Sequence, residues 1–212
     1  MPTLLHVDSS PMGEASISRR LTAEFVSRWR MVNLQGEVIS RDLTTMHIPA
    51  IDADWVAANY LPPESRTPQQ NQLLVLSNEL AGDLLRADEY VFGVPMHNWG
   101  PASIFKLWAD QIVRFGKTVL LTPSGMKGAL DTKKITFFVS AGRSYRPGAE
   151  DASRNLLVPW LRTFFGSLGV TEMRFHFVDG AGALRSGQVD REAFLAPHLA
   201  AVQSFFSQPS VL

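Results

Sequence analysis

Within the stretch Asp88-Glu-Tyr-Val-Phe-Gly-Val-Pro-Met-His-Asn-Trp-Gly-Pro101, a strand, a loop and a helix start follow one another. Tyr90 to Val94 is a short apolar run and predicts a buried strand. Gly93 has no Cβ, which invites close approach by another backbone or a flat ligand. Pro95 has no N–H to give to a ladder, so pairing is predicted to stop there. Gly100 is pushed extended by the proline after it, and Pro101 suits the first turn of a helix. Met96, His97, Asn98 and Trp99 are thereby held at the carboxyl end of a strand, where open α/β sheets bind ligands.

Outward from this stretch, helices and strands alternate. Upstream, Thr67 caps a predicted helix running to Arg86, with Pro68 at its first position and Leu73, Leu76, Leu80 and Leu84 on one side. Residues 42–66 show no firm period and predict an irregular excursion, with a helical turn near Trp55. Before them come a strand at Thr3 to Asp8, a hydroxyl-rich loop, a helix from Ile17 to Met31 and an exposed strand at Glu37 to Arg41. Downstream, Pro101 to Phe115 is amphipathic, with Ile104, Leu107, Trp108 and Ile112 inward, and Gly116 closes it. Lys117 to Lys134 reads as a hairpin or flap. Ile135 to Val139 is another buried strand, followed by the loop Ser140-Ala-Gly-Arg-Ser-Tyr-Arg-Pro-Gly148. A helix (Ser153 to Leu168), a strand (Val170 to Val178) and a helix (Asp190 to Phe206) complete the chain.

This alternation predicts an α/β fold with a parallel sheet covered by helices on both faces. Three loops, 9–18, 95–100 and 140–148, would converge on one sheet edge. A flavodoxin-like, doubly wound, five-stranded sheet of order 2-1-3-4-5 produces that arrangement and places FMN there. Residues 1–212 are expected to form a single domain of this kind.

Composition narrows the function classes. Twenty basic and twenty acidic residues cancel, so no global field draws nucleic acid or an anionic membrane. Cysteine is absent, which excludes disulfides, thiolate catalysis and Cys-ligated metals. No apolar run approaches the roughly 20 residues of a membrane span. The start, Met1-Pro-Thr-Leu-Leu-His-Val-Asp8, lacks a signal-peptide pattern, so a cytoplasmic protein is expected. His6 is expected to be a satisfied histidine in or beside the core. His47, His176 and His198 are scattered without partners at ligand spacing, so no metal site is expected. Arg114, Lys117 and Lys127 read as solvated faces, and Asp110 as structural.

Ser9-Ser-Pro-Met-Gly-Glu-Ala-Ser-Ile-Ser18, between strand and helix, suits an anion. The first helical N–H groups have no partner within the helix, and the dipole adds partial positive charge. A phosphate would satisfy both, helped by the hydroxyls of Ser10, Ser16 and Ser18. The plainer reading makes Ser16 an N-cap and the other serines loop filler. Gly-x-x-x-x-Gly-Lys is missing, which removes the main support for triphosphate hydrolysis.

Ser9-Ser10 with Ser16-x-Ser18, Pro95-Met96-His97-Asn98-Trp99, Lys106-Leu-Trp-x-Asp110 with Gly116, Ser140-Ala-Gly142, and Leu157-x-Pro-Trp-Leu-x-x-Phe-Phe-Gly-x-x-Gly-Val170 lie in register over about the whole chain. Together they resemble the FMN-dependent azoreductases, also called NADH:quinone oxidoreductases. The resemblance implies a homodimer with one FMN per subunit, each site completed by the partner. It also implies two-electron, ping-pong reduction of quinones and azo compounds by NADH or NADPH. By position, Ser10, Ser16, Ile17 and Ser18 correspond to phosphate binders. Pro95 and Met96 to Trp99 correspond to the segment along the isoalloxazine, and Ser140, Ala141, Gly142 and Arg143 to the loop at its polar edge. The flavin carries the hydride, and the protein supplies position and electrostatics.

His97 and Arg143 are possible auxiliaries that stabilise charge on the reduced acceptor, against a plain ring contact for His97. His97 and Trp99 stand where the family commonly has tyrosine and phenylalanine. Arg143 stands where a glycine is usual, and is strained if that position needs a positive φ. Two other readings of the flavin pocket stay open: a one-electron carrier like flavodoxin, and an FMN-binding regulatory protein without its own substrate.

Overall fold

A computed structural model describes residues 1–187 and 189–206. In chain order the elements are β1 (Thr3–Asp8), α1 (Ile17–Val32), β2 (Glu37–Asp42), α2 (Ala53–Tyr60), α3 (Pro68–Leu73), α4 (Val75–Arg86), β3 (Glu89–His97) and β4 (Gly100–Pro101). There follow α5 (Ser103–Ile112), β5 (Val119–Thr122), β6 (Gly125–Gly128), β7 (Lys134–Ser140), α6 (Leu157–Ser167), β8 (Glu172–Val178), α7 (Gly182–Arg185) and α8 (Arg191–Ser204). The main sheet has the order β2-β1-β3-β7-β8, all neighbours parallel. Counted as the five long strands, that is 2-1-3-4-5, the flavodoxin-like order expected from the alternation.

The period of two in the strands sorts the core into two layers. Leu4, Val91 and Phe138 face α1 and α8, meeting Leu21, Phe25, Trp29, Leu195 and Val202. Leu5, Val7, Tyr90, Phe92, Val94, Phe137 and Val139 face α4, α5 and α6, meeting Leu84, Phe105, Trp108, Leu161 and Phe165. Gly128 brings the β5–β6 hairpin hard against the end of α6, where a Cβ would lie 1.9 Å from the Leu168 carbonyl carbon.

Several expectations are corrected. β3 does not stop at Pro95: that residue stays in register with Ser140 of β7. In a parallel ladder, alternate residues address alternate neighbours, and the carbonyl of Gly93 accepts from Ser9 N–H, on the β1 side, at 3.2 Å. Pro95 points the same way two residues on, where β1 has already ended, so its missing N–H leaves no ladder bond unmade. Pro101 pairs in β4, and the helix begins at Ser103. Residues 53–60 form two turns of helix, more than the one expected near Trp55.

The helix capped by Thr67, with its capping box to Gln70, breaks at Leu74. The break buries Leu74 fully against Trp55 and Ala58 and leaves Leu73 exposed. Arg114 is buried rather than solvated. Its Nε donates to Asn59 Oδ1 at 2.8 Å and its Nη1 to Ser77 Oγ at 2.9 Å. Among the described residues no carboxylate pairs with it, and burial, then Arg66, pushes its pKa down to about 10.

His176 and His198 are not isolated: Nε2 of one lies 3.0 Å from Nδ1 of the other, joining β8 to α8. His6 likewise has a neighbour, its Nε2 3.0 Å from Asp8 Oδ2, close but not aligned as a hydrogen bond. Burial, with His198 and Arg146 as like charges, holds His176 down to about 4. Burial and Arg146 lower His198 too, against Asp179. A histidine pKa depressed in the fold means that the unfolded chain binds more protons below its own value of about 6.5. The stability linked to the neutral pair is therefore present above about pH 6.5 and lost as pH falls toward 4. Urea midpoints of wild type should fall over that window, and those of His176→Phe should fall less steeply, by about one proton's worth of slope. Equal slopes would remove the pair as the cause.

Candidate active site

The carboxyl edge of the sheet is built around Gly93. A Cβ there would lie 2.3 Å from Oδ1 of Asp8, so the group that needs the glycine is the carboxylate of the neighbouring strand, not a ligand. Asp8 is buried at the end of β1, and Thr22 Oγ1 donates to its Oδ1 at 2.9 Å. Ser9 Oγ donates to the Gly93 carbonyl at 2.9 Å. These contacts lock β1, β3 and α1 together at the point where the first loop departs.

That loop ends at Ser16, the N-cap of α1, whose hydroxyl accepts from Arg19 N–H at 3.3 Å. Ser18 Oγ lies 3.2 Å from Ser16 Oγ, and Ser10, Ser16 and Ser18 are all buried. Ile17 directs its side chain into the core and so contributes only its backbone N–H to the helix start. Ser16 thus serves as a cap, while the opening N–H groups at Ile17 and Ser18 keep the orphan status of every helix start. A hollow of about 460 Å³, lined by Gly13, Glu14, Ser16, Arg19 and Arg20 among others, opens beside them.

β3 and β4 form a hairpin in which Met96 pairs with Pro101 and His97 with Gly100. Asn98 and Trp99 are its two turn residues, with φ of 47° and 68°. Both central residues at positive φ define the mirror-type turn that suits strand twist, and glycine is usual at the second. A tryptophan in the left-handed region costs on the order of 1–2 kcal/mol. The strain sits here and not at Arg143, which has no positive φ. Leu156 N–H donates to the Trp99 carbonyl at 3.2 Å, fixing the turn to the start of α6.

The third loop is bound along its length. Ser140 ends β7 beside Pro95 and Val178, and Ala141 is buried. Ala141 and Gly142 carbonyls accept from Ala181 and Gly182 N–H, each at 3.0 Å. Arg143 is exposed and held by Asp151, Nε to Oδ2 at 3.0 Å. Arg146 pairs with Asp179 at 2.7 Å.

Two openings flank the hairpin. A cleft of about 820 Å³ is lined by Ser9, Pro11, Thr44, His97, Asn98, Ile104, Lys106 and Trp160, among others. A slot of about 200 Å³ lies between Met96, Asn98, Trp99, Gly142 and Tyr145. The structure therefore brings His97 and Asn98 to the cleft, and Met96, Asn98, Trp99 and Gly142 to the slot. Pro95 and Ala141 are buried behind them, and Arg143 lines neither. Sequence reasoning missed Arg19, Thr44, Trp160 and Tyr145. A cation on the turn after Ser-x-Ser was a usable signal for Arg19, whereas Thr44 and Trp160 arrive through tertiary packing.

Trp99 is 46% exposed, and the turn strain can be isolated by comparing two truncations, because both lose the same ring. Trp99→Gly should unfold with about 1 kcal/mol more stability than Trp99→Ala, since only glycine is unstrained at that φ. An alanine variant as stable as the glycine variant would show that the turn holds no such strain.

Residues 2–205 match the family model described as the flavodoxin-like fold. The chain is 54% identical over 204 residues to FMN-dependent NADH:quinone oxidoreductase 3 of Burkholderia lata, covering 96% of this chain and 99% of that one. It is 44% identical over 203 residues to the FMN-dependent NADH:quinone oxidoreductase of Acidobacterium capsulatum, covering 96% and 98%. Among solved structures, an azoreductase from Bacillus anthracis superposes with a TM-score of 0.84 at 21% identity, covering 97% of this chain and 99% of that one. An FMN-dependent NADH-azoreductase from the same species, in complex with FMN, gives 0.83 at 18% identity, covering 98% of each. The chain belongs to the family of the FMN-dependent NADH:quinone oxidoreductases, built on the flavodoxin-like fold.

Proposed function

We propose that this protein is an FMN-dependent oxidoreductase that takes two electrons from NADH or NADPH and delivers them to quinones and azo compounds. The observation that carries the reading is the meeting, on one sheet edge, of a serine-lined helix start with the Asn98-Trp99 turn. It occurs in a chain 54% identical to an FMN-dependent NADH:quinone oxidoreductase.

The residues fit FMN. The N–H groups of Ile17 and Ser18 and the hydroxyls of Ser10, Ser16 and Ser18 suit a phosphate, which satisfies donors the helix leaves over. Met96, Asn98 and Trp99 face Gly142 across the slot and suit a planar group, with His97 at the adjoining cleft. Pro95, Ser140 and Ala141 back this edge, and Arg143 stands outside both openings on Asp151. Bound FMN supplies an acceptor and donor of hydride, which no side chain offers.

The chain's own part is positional. The rigid turn orients Asn98 toward both cleft and slot, Trp99 offers a stacking face, and the cleft admits nucleotide and acceptor in turn. His97, at the cleft wall, is the group placed to hold or give a proton to a reduced acceptor. Arg143 contributes positive charge only if it leaves Asp151. In this reading residues 1–212 form one domain, although 188 and 207–212 lie outside the described residues. The protein is a cytoplasmic homodimer whose sites are completed by the partner, with no membrane or nucleic-acid partner. No helix of the described residues is long and apolar enough to cross a membrane.

Anaerobic stopped-flow mixing of the FMN-loaded protein with NADH, NADPH and then benzoquinone tests the reading. Rapid loss of the flavin absorbance with at least one nucleotide, and rapid recovery with quinone, is expected. Failure to bleach with either nucleotide would leave a carrier or a regulatory flavin pocket.

A further inference from the structure

Arg19 stands where the serine-rich loop enters α1, and most of its side-chain donors are already engaged. Nε and Nη2 both donate to the Ser10 carbonyl, at 3.0 and 2.9 Å. Nη1 and Nη2 donate to the two carboxylate oxygens of Asp42, at 2.8 and 2.5 Å, and Nη2 also reaches Thr44 Oγ1 at 3.0 Å. Asp8 Oδ2 lies 3.9 Å from Nη1. Its main-chain N–H meanwhile donates to Ser16 Oγ. One residue therefore touches both Ser10 and Ser16, with its positive charge turned to carboxylates on the side of β2.

We propose that Arg19 is a positioning residue for the cofactor phosphate and not one of its ligands; this rests on the FMN reading above. A carbonyl oxygen facing a phosphate repels it, so the direction of the Ser10 carbonyl matters to an anion at the start of α1. Two guanidinium N–H groups hold that carbonyl toward Asp42 and keep it away from the anion. Asp42 in turn fixes the guanidinium by a bidentate fork, the geometry arginine supplies and lysine does not.

Other carbonyls of the loop are held as well. Those of Met12 and Gly13 accept from Ala15 and Ser16 N–H, and that of Ala15 accepts from Arg191 Nη2 at 2.9 Å. The carbonyls of Ser10, Met12, Gly13 and Ala15 are thus all occupied. The same guanidinium bonds both the Ser10 carbonyl and Thr44, and Ser9, Pro11 and Thr44 all line the large cleft.

The test uses the full-length apoprotein and two flavins, FMN and riboflavin, which differ only by the phosphate. Affinities are read by flavin fluorescence, and apoprotein melting checks folding. Arg19→Ala should weaken FMN about 10- to 100-fold, the scale of lost charge-assisted hydrogen bonds. It should leave riboflavin within about twofold, and Arg19→Lys should restore the loss only in part.

Asp42→Asn separates strut from ligand, because asparagine can still cap Thr44 while losing the charge. A strut loosened in this way binds FMN several-fold more weakly, again without change for riboflavin. Tighter FMN binding in Asp42→Asn would mean that Asp42 had restrained a phosphate ligand, and would overturn the proposal. Equal losses of FMN and riboflavin, or no loss in Arg19→Ala, would overturn it too. A wild-type protein that binds neither flavin would overturn the cofactor reading and this proposal with it.

Discussion

The carboxylate of Asp8 rests on the bare α-carbon of Gly93, and the active edge of the sheet is arranged around that contact. Any side chain at position 93 would enter the space of Oδ1, 2.3 Å from where a Cβ would sit. With the glycine in place, β1 and β3 come into register up to Asp8 and Gly93 and no further. Thr22 ties the same carboxylate to α1. The two strands release their loops at one level, and the helix that receives the first loop is fixed to both. A buried carboxylate is costly unless compensated. Here Arg19 and His6 lie within ion-pair distance of it.

Charge at this edge is handled locally. The whole chain is neutral, so the proposed anion site relies on short-range donors at the start of α1 and not on a long-range field. Arg19 illustrates the distinction. The hydrogen bond to Asp42 raises its pKa and lowers that of Asp42, which marks a pair committed to each other. Arg114 is the opposite case, a buried guanidinium without a carboxylate partner among the described residues. It joins α2 and α4 through the neutral oxygens of Asn59 and Ser77, and Ser77 passes its own hydrogen to the Gln111 carbonyl of α5. Burial, then the like charge of Arg66, lowers its pKa, where the hydrogen bond to Asp42 raises that of Arg19.

What was legible in the sequence was local or periodic. The apolar run at 90–94, the serine-rich loop and the alternation of helix with strand are signals that act within about a dozen residues, and they gave the sheet order and the three loops. What was not legible depended on partners distant in the chain. Pro95 stays in the ladder because β1 ends first, a fact about another strand. The helix after Thr67 breaks because Leu74 has a pocket on Trp55, and no local period records that. Arg114 looks like a surface cation until Asn59 and Ser77 are found, 55 and 37 residues away. His176 and His198, 22 residues apart, meet only when α8 folds back on β8.

The site combines two kinds of rigidity. The loop between β1 and α1 is held by side chains that reach it from α1 and α8, so its shape depends on charges that can be removed one at a time. The Asn98-Trp99 turn is held by backbone: the β3–β4 register on either side and the Leu156 N–H on its carbonyl. Two consecutive residues at positive φ would relax if those bonds did not over-determine them. Holding the turn strained before a ligand arrives spares the binding step the ordering of that segment. A tryptophan where glycine would be comfortable keeps a large ring at the slot at the expense of turn stability. That trade makes sense only if the ring meets something there, and the slot between Met96, Asn98, Trp99, Gly142 and Tyr145 is where a planar ligand would meet it.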